Sequence, residues 1–214
     1  IKLIYISKKL NREKSLNIAL DKSTSKYSFR FDTRTRFSHK YAENALKLLN
    51  DKSLDISVIG GCPRIISESK NFEAQLCADI MQRRYLFFYP KHRDIKYSGY
   101  SSSIYLGCFI TNLLKEIRFN EKKALLSEDS LIINDFLEKG FKAYISSSIE
   151  VYYLCRSSFL NILKLFNTYG YCRANTIYIS KKIFISKRHL YLFITLLFIC
   201  FLLLKFSFLS LFLA

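Results

Sequence analysis

From Leu190 to Ala214 the chain is apolar almost without interruption, and its only charge there is Lys205. Coiled as a helix, this run has no polar face to turn to water. Residues 190–204 alone would reach about 22 Å at roughly 1.5 Å per residue, short of a bilayer core of about 30 Å. Extended to Ala214 the run reaches about 37 Å, enough to cross with some tilt, and Lys205 can snorkel to the far interface. A transmembrane helix is therefore expected over 190–214. Lys181, Lys182, Lys187 and Arg188 fall in 176–189, a basic juxtamembrane segment. Under the positive-inside rule that cluster keeps the preceding domain in the cytoplasm. In a bacterium the expected location is the inner membrane.

The remaining part, 1–175, mixes charge and apolar residues as a globular domain does. The chain has 214 residues, half of them hydrophobic, which excludes disorder as its general state. Lys and Arg number 34 against 17 Asp and Glu, a net charge of +17. That balance suits a membrane surface, a phosphorylated ligand or nucleic acid. No basic tract with interleaved aromatics supports nucleic acid as a partner. The 6 Cys (Cys62, Cys77, Cys108, Cys155, Cys172, Cys200) form no C-x-x-C pair, and the 3 His (His39, His92, His189) lie far apart. Reduced, mostly buried thiols are expected, with no zinc motif. The chain opens at Ile1 on an apolar strand pattern over 2–6, with neither Met nor signal peptide, as expected of a cut end.

Strand and helix patterns alternate along the domain. Asn11 caps a predicted helix to about Lys22, with Leu16, Ala19 and Leu20 inward. A strand over 27–31 stops at Asp32. Ser38 opens a helix to about Leu49, with Tyr41, Ala45, Leu48 and Leu49 inward. A strand over 56–59 closes on Gly60-Gly61. These alternations predict a parallel α/β sheet. A long helix over 71–88, a polar loop, a strand over 104–110 and a helix over 112–117 follow. Ser127 caps a helix that ends at Gly140, a left-handed C-terminal glycine. Strands over 141–145 and 150–153 precede an amphipathic helix from Ser157 or Ser158 carrying Phe159, Ile162, Leu163 and Phe166.

Two acidic positions invite chemistry. Asp32 stands at the carboxyl end of a strand, where open α/β sheets bind ligands. Its carboxylate suits a divalent ion shared with phosphate oxygens, although an Asp after a strand is more often a turn or helix cap. Glu128-Asp129 begins a helix, where acidic residues favour the dipole. A functional carboxylate there would be a general base.

Five patterns, in order, give more than either site. Lys14-Ser15-Leu16-Asn17-Ile18-Ala19-Leu20 resembles an "aLNxgi" helix. Arg30-Phe31-Asp32 resembles an "R-V-D" strand end, and Val58-Ile59-Gly60-Gly61 a "vvGG" strand. Glu128-Asp129 with Asn134, Leu137, Gly140 and Phe141 resembles "eDxelnyRlrxaGgki". Cys155-Arg156-Ser157-Ser158 through Gly170-Tyr171-Cys172-Arg173 resembles "pRsslxxlxxQyfgYGrwr". Together, over residues 9–173, they resemble the family 2 glycosyltransferases, and most of all their membrane-attached, succinoglycan-biosynthesis type.

The resemblance implies a GT-A (Rossmann-like) fold, a mixed sheet flanked by helices, followed by the transmembrane helix. It implies an inverting glycosyltransferase of hexosyltransferase type in bacterial surface polysaccharide synthesis. A sugar would pass from a nucleotide-sugar donor to a lipid-linked or membrane-proximal saccharide acceptor. Asp129 would be the catalytic base and Glu128 would shape the acceptor site. Asp32 would bind Mg²⁺ or Mn²⁺ on the donor diphosphate, and Arg156 and Arg173 would lie near that diphosphate. The family's first nucleotide-binding segment, with its DDGS-like turn, is absent. Arg34 occupies the second acidic position of a full D-x-D, and Asp135-Phe136 replaces "yR". Asn167 replaces the usual Gln, and without Q-x-x-R-W a processive synthase is disfavoured. These departures motivate an alternative: an inactive, basic membrane-anchored scaffold on a degenerate transferase fold.

Overall fold

A computed structural model describes residues 5, 10–83, 93–121, 128–180, 193–203 and 205. Most of the strand expected over 2–6, the cap expected at Ser127, the basic residues 181–188 and most of 190–214 lie outside the described residues. The chain divides into two compact units, 1–176 and 177–214.

In the first unit α1 (Arg12–Lys22) starts where Asn11 predicts, the Asn11 side chain accepting from the Lys14 N–H at 3.0 Å. Its buried residues are Glu13, Asn17 and Leu20, a more polar face than the expected apolar stripe. Asn17 explains this. Its amide donates to the Phe119 carbonyl at 2.8 Å and accepts from the Phe119 N–H at 3.0 Å, pairing a chain segment as a strand would. A buried amide so satisfied costs little.

The chain continues through β1 (Tyr27–Phe29), β2 (Thr35–Phe37) and α2 (Tyr41–Leu49) to β3 (Val58–Gly61), β4 (Pro63–Ile66) and α3 (Phe72–Gln82). Then come β5 (Gly99–Tyr100), β6 (Tyr105–Ile110), α4 (Thr111–Ile117), α5 (Glu128–Glu138), β7 (Ala143–Ile145), β8 (Val151–Leu154) and α6 (Phe159–Ser180). Five strands form one sheet in the order β1-β6-β3-β7-β5, and β2-β8-β4 form a second. The parallel sheet expected from the alternation is corrected to a mixed one. Among the described residues only β3–β7 is parallel in the large sheet; β6 enters antiparallel between β1 and β3, and β5 lies antiparallel to β7. Alternation of strand and helix fixes the connections but not which strands become neighbours.

Period-2 alternation in β3 builds both cores. Val58 packs with Phe109, Ile132, Ile133 and Phe136 on one face, against α1, α4 and α5. Ile59 packs with Tyr41, Ala45, Leu49 and Cys108 on the other, against α2. Each fully buried side chain of this size contributes about 1.5–3 kcal/mol. Gly60 and Gly61 do not close a turn; they lie inside β3. A Cβ on Gly60 would strike the Ile104 side chain, and one on Gly61 the Ile149 carbonyl. Opposite them β6 carries a register shift, with Leu106 at φ +61° and Gly107 at φ +113°. Such a bulge bends the strand and re-aims its side chains.

Several helix ends differ from expectation. Arg83 is extended, so α3 stops well before Phe88. α2 begins at Tyr41 without a side-chain cap, rather than at Ser38. Gly140, at φ +84°, ends α5 as predicted, with Gly140 N–H to Leu137 and Phe141 N–H to Phe136, each 3.0 Å. On α6, Ile162 is buried beside Cys77, Ala78, Met81 and Cys155, with Phe166 against them. Phe159 and Leu163 are exposed, a correction to the expected apolar face. None of the six cysteines is in a disulfide and five are buried, and burial pushes the thiols of Cys62 and Cys108 up to about 12.

In the second unit residues 193–203 are helical, with Phe193, Leu196, Phe198 and Phe201 exposed. Among the described residues no helix is long and apolar enough to cross a membrane.

Candidate functional site

β1 ends at Phe29, and the next residues turn back towards β2, Thr35 N–H donating to the Asp32 carbonyl at 3.1 Å. Before the turn the Arg30 N–H is held by the Gly107 carbonyl of the bulge, at 3.0 Å. This throws the Arg30 side chain inward, where it is only 8% exposed. Its Nη2 donates to Glu128 Oε1 at 2.7 Å, and its Nε lies 3.5 Å from Asp32 Oδ1. Arg12 Nη1, from the first turn of α1, reaches the same Glu128 oxygen at 2.7 Å. Three separate segments thus converge on one guanidinium–carboxylate knot.

The two carboxylates at the start of α5 are driven apart. Burial raises the Glu128 carboxyl, but the Arg12 hydrogen bond and the charges of Arg30 and Arg12 outweigh it and hold it below the ordinary range. Asp129, half-buried, goes the other way. Burial and the adjacent Glu128 charge push it up, against Arg30 and the Ser130 N–H, which donates to Asp129 Oδ1 at 2.7 Å. Neighbouring acids with opposite shifts are a common arrangement for acid–base work.

Arg34 is not part of this knot. Its Nε donates to the Leu154 carbonyl at 3.1 Å, and its Nη2 reaches the Cys155 carbonyl at 3.0 Å and Glu68 at 2.7 Å. It therefore straps the turn after Asp32 onto the end of β8. The strap brings Arg156 into the neighbourhood. Burial raises the Tyr153 hydroxyl, while Arg156, Arg34 and Arg93 oppose that rise. On α6 burial, then Tyr153 and Asp129, raise the Tyr169 hydroxyl, and Arg93 and Arg156 lower it. Asp129 and Arg156 thus act on the same tyrosine. Arg173 lies on α6, and its side chain is outside the described residues.

Asp32 lines a shallow hollow of about 430 Å³ at the start of α2. Its carboxylate is 41% exposed. Among the described residues no three Asp, Glu, His or Cys side chains converge as a metal-holding group. The donor set suits a divalent ion only as one carboxylate completing a shell of phosphate and water oxygens, which is how Mg²⁺ is often bound beside phosphates. Arg30 Nε, buried and without a hydrogen-bond partner among the described residues, faces that carboxylate as a competing cation.

Arg12 and the tyrosines Tyr153 and Tyr169 escape a sequence reading. Arg12 resembles any basic residue near a helix start, and nothing local announces that its partner lies 116 positions on. Arg30 was visible as a letter of the R-F-D pattern, without a role. No family model matches the chain, and no curated protein matches it.

Proposed function

We propose that the chain is the catalytic part of an inverting family 2 glycosyltransferase with a GT-A fold. One observation carries the reading. The R-F-D pattern and the Glu128-Asp129 pattern, two of the five likened in order to one family, meet through Arg30 across 98 residues. A mixed sheet covered by helices, with Asp32 just beyond the end of β1, supports it further.

In this reading Asp129 takes the proton from an acceptor hydroxyl. The oxygen attacks the anomeric carbon of the donor in line, and the bond from that carbon to the diphosphate oxygen breaks. The nucleoside diphosphate leaves with the bonding electron pair. The raised Asp129 carboxyl is the better base for being closer to neutrality. Glu128 and Arg30 hold the start of α5 against the turn that carries Asp32. Asp32 would hold Mg²⁺ or Mn²⁺, whose contribution is to neutralise charge developing on the diphosphate. Arg156, and Arg173 by resemblance, would bind phosphate oxygens. The acceptor is proposed to be a lipid-linked saccharide, and 190–214 a membrane anchor that keeps the domain on the cytoplasmic side of a bacterial inner membrane.

The test is donor turnover. Membranes carrying the protein expressed from its complete gene are given UDP-glucose, UDP-galactose, GDP-mannose and dTDP-rhamnose with bacterial lipid extract. Release of nucleoside diphosphate that depends on Asp129 supports the reading. No release from any donor favours the inactive scaffold, which Arg34 and Asp135 also motivate.

A further inference from the structure

α6 keeps only one of its faces against the domain. Ile162, Phe166 and Cys172 turn inward, Ile162 beside Cys77, Met81 and Cys155. Leu160, Leu163, Asn167 and Tyr171 follow the three- and four-residue spacing of a second face, and that face is exposed. Leu160 is 69% and Leu163 62% exposed, although a leucine gains nothing from water there. The start of α3 extends the same surface. Glu73 Oε1 accepts from the Phe159 N–H at 2.9 Å, which brings Phe72, 79% exposed, to the start of α6. Phe72, Phe159, Leu160 and Leu163 are thus apolar and open at one place, flanked by the exposed Lys70 and Lys164. Clustered exposed apolar side chains of this kind mark an interaction surface.

Charge decides what covers it. From Val151 to Ala214 the chain carries eight Lys or Arg residues and not one Asp or Glu. We propose that the face formed by Phe72, Phe159, Leu160 and Leu163 docks on an anionic lipid surface. Its apolar side chains enter the boundary between headgroups and acyl chains, and Lys70 and Lys164 meet lipid phosphates. Helices of this make-up lie in the plane of a membrane interface. A second copy of the chain would set one acid-free α6 against another, and like charges would oppose that pairing. An acidic protein surface would answer the lysines but not the apolar run that follows at 190–214. The docking is separate from the anchor proposed for 190–214. An anchor fixes the chain to a membrane, whereas the α3–α6 face fixes how the domain lies against it. It requires no transferase chemistry.

The chain contains no tryptophan, so Leu163→Trp places a single reporter on the face. The full chain is reconstituted in vesicles of phosphatidylglycerol and phosphatidylcholine, with and without bromine on the acyl chains. Leu163→Trp is expected to emit at shorter wavelength than Lys52→Trp, at an exposed position after α2. Brominated lipid should quench the first and not the second. Quenching should weaken in pure phosphatidylcholine, and adding Lys164→Gln should lower the docked-to-undocked ratio about fivefold. Leu160→Trp repeats the measurement should Leu163→Trp not fold. Vesicle-bound Leu163→Trp that is not quenched overturns the docking face and leaves the anchor. A blue shift that grows with protein concentration, without quenching, gives the face to a second copy and overturns it too. Equal quenching of Lys52→Trp removes any preferred face, and equal quenching in neutral vesicles removes the anionic surface as the partner.

Discussion

Arg30 Nη2 and Glu128 Oε1 lie 2.7 Å apart in a pair whose side chains are 8% and 2% exposed. Neither partner has water to fall back on. The desolvation of such a pair is offset only while both charges remain. Glu128→Gln leaves Arg30 and Arg12 facing a neutral amide and should cost about 3–5 kcal/mol near pH 7. The folded Glu128 carboxyl is held below its ordinary value of 4.5. Its contribution is therefore complete above that value and is lost as pH falls through the lower folded one. In urea unfolding the gap between wild type and Glu128→Gln should narrow on acidification. A gap that stays constant from neutral to acid pH shows that the ion pair is not what holds the knot.

Gly60 and Gly61 make a second, independent test, because they sit at close approaches rather than in a turn. Gly60→Ala pushes on the end of the Ile104 side chain, which can move, and should cost about 1–3 kcal/mol. Gly61→Ala pushes on the Ile149 backbone carbonyl, which cannot move without shifting the segment before β8. Its Tm should therefore fall further than that of Gly60→Ala. The opposite order would mean that β3 packs less tightly against the Ile149 loop than its geometry shows.

What the sequence made legible follows the range of the physics. Caps act within a few residues, so Asn11 and Gly140 bound helices where their local signals put them; the helix expected over 71–88 begins after Asn71 as its cap and stops at Gln82. The inward face of α2 was legible because period and burial agree. Strand order was not: the β1–β6 and β3–β6 pairings join segments far apart in the chain. Exposed Phe31 misled for the same reason. It continues an apolar strand pattern, but its partners Phe37 and Tyr41 come from β2 and α2. At the site, Asp32, Glu128 and Asp129 were named from pattern. Arg12 and the strap role of Arg34 required the third dimension.

Asp32 should matter for ligand binding more than for folding. Its Oδ1 makes a 3.5 Å ion pair with Arg30, its side chain is 41% exposed, and the residue lines the hollow. Asp32→Ala is expected to melt within a few degrees of wild type. In calorimetry on the full-length protein it should lose Mg²⁺- or Mn²⁺-dependent binding of the nucleotide-sugar that the wild type turns over. Unchanged metal-dependent binding removes Asp32 from the donor site.

Asp129 separates enzyme from scaffold, because its two possible roles differ in size and in sign. As a helix-terminus charge it contributes at most about 0.3–1 kcal/mol. Even that is opposed, since burial and Glu128 raise its carboxyl in the folded chain. A raised folded pKa means that ionisation weakens the fold: stability is greatest while Asp129 is protonated and declines as pH rises through its folded value. Asp129→Asn, neutral at every pH, should therefore be as stable as wild type near pH 7, or slightly more so. Loss of a general base instead costs about 10²- to 10⁴-fold in rate, or roughly 3–5 kcal/mol of barrier. Activity requires the ionised form, so the acidic limb of kcat/KM should lie above the ordinary aspartate range and disappear from any residual activity of Asp129→Asn. The decisive result is a stable, donor-binding Asp129→Asn that no longer transfers sugar. A variant that transfers at near wild-type rate leaves the raised carboxyl as a consequence of packing beside Glu128 and gives the site to a scaffold.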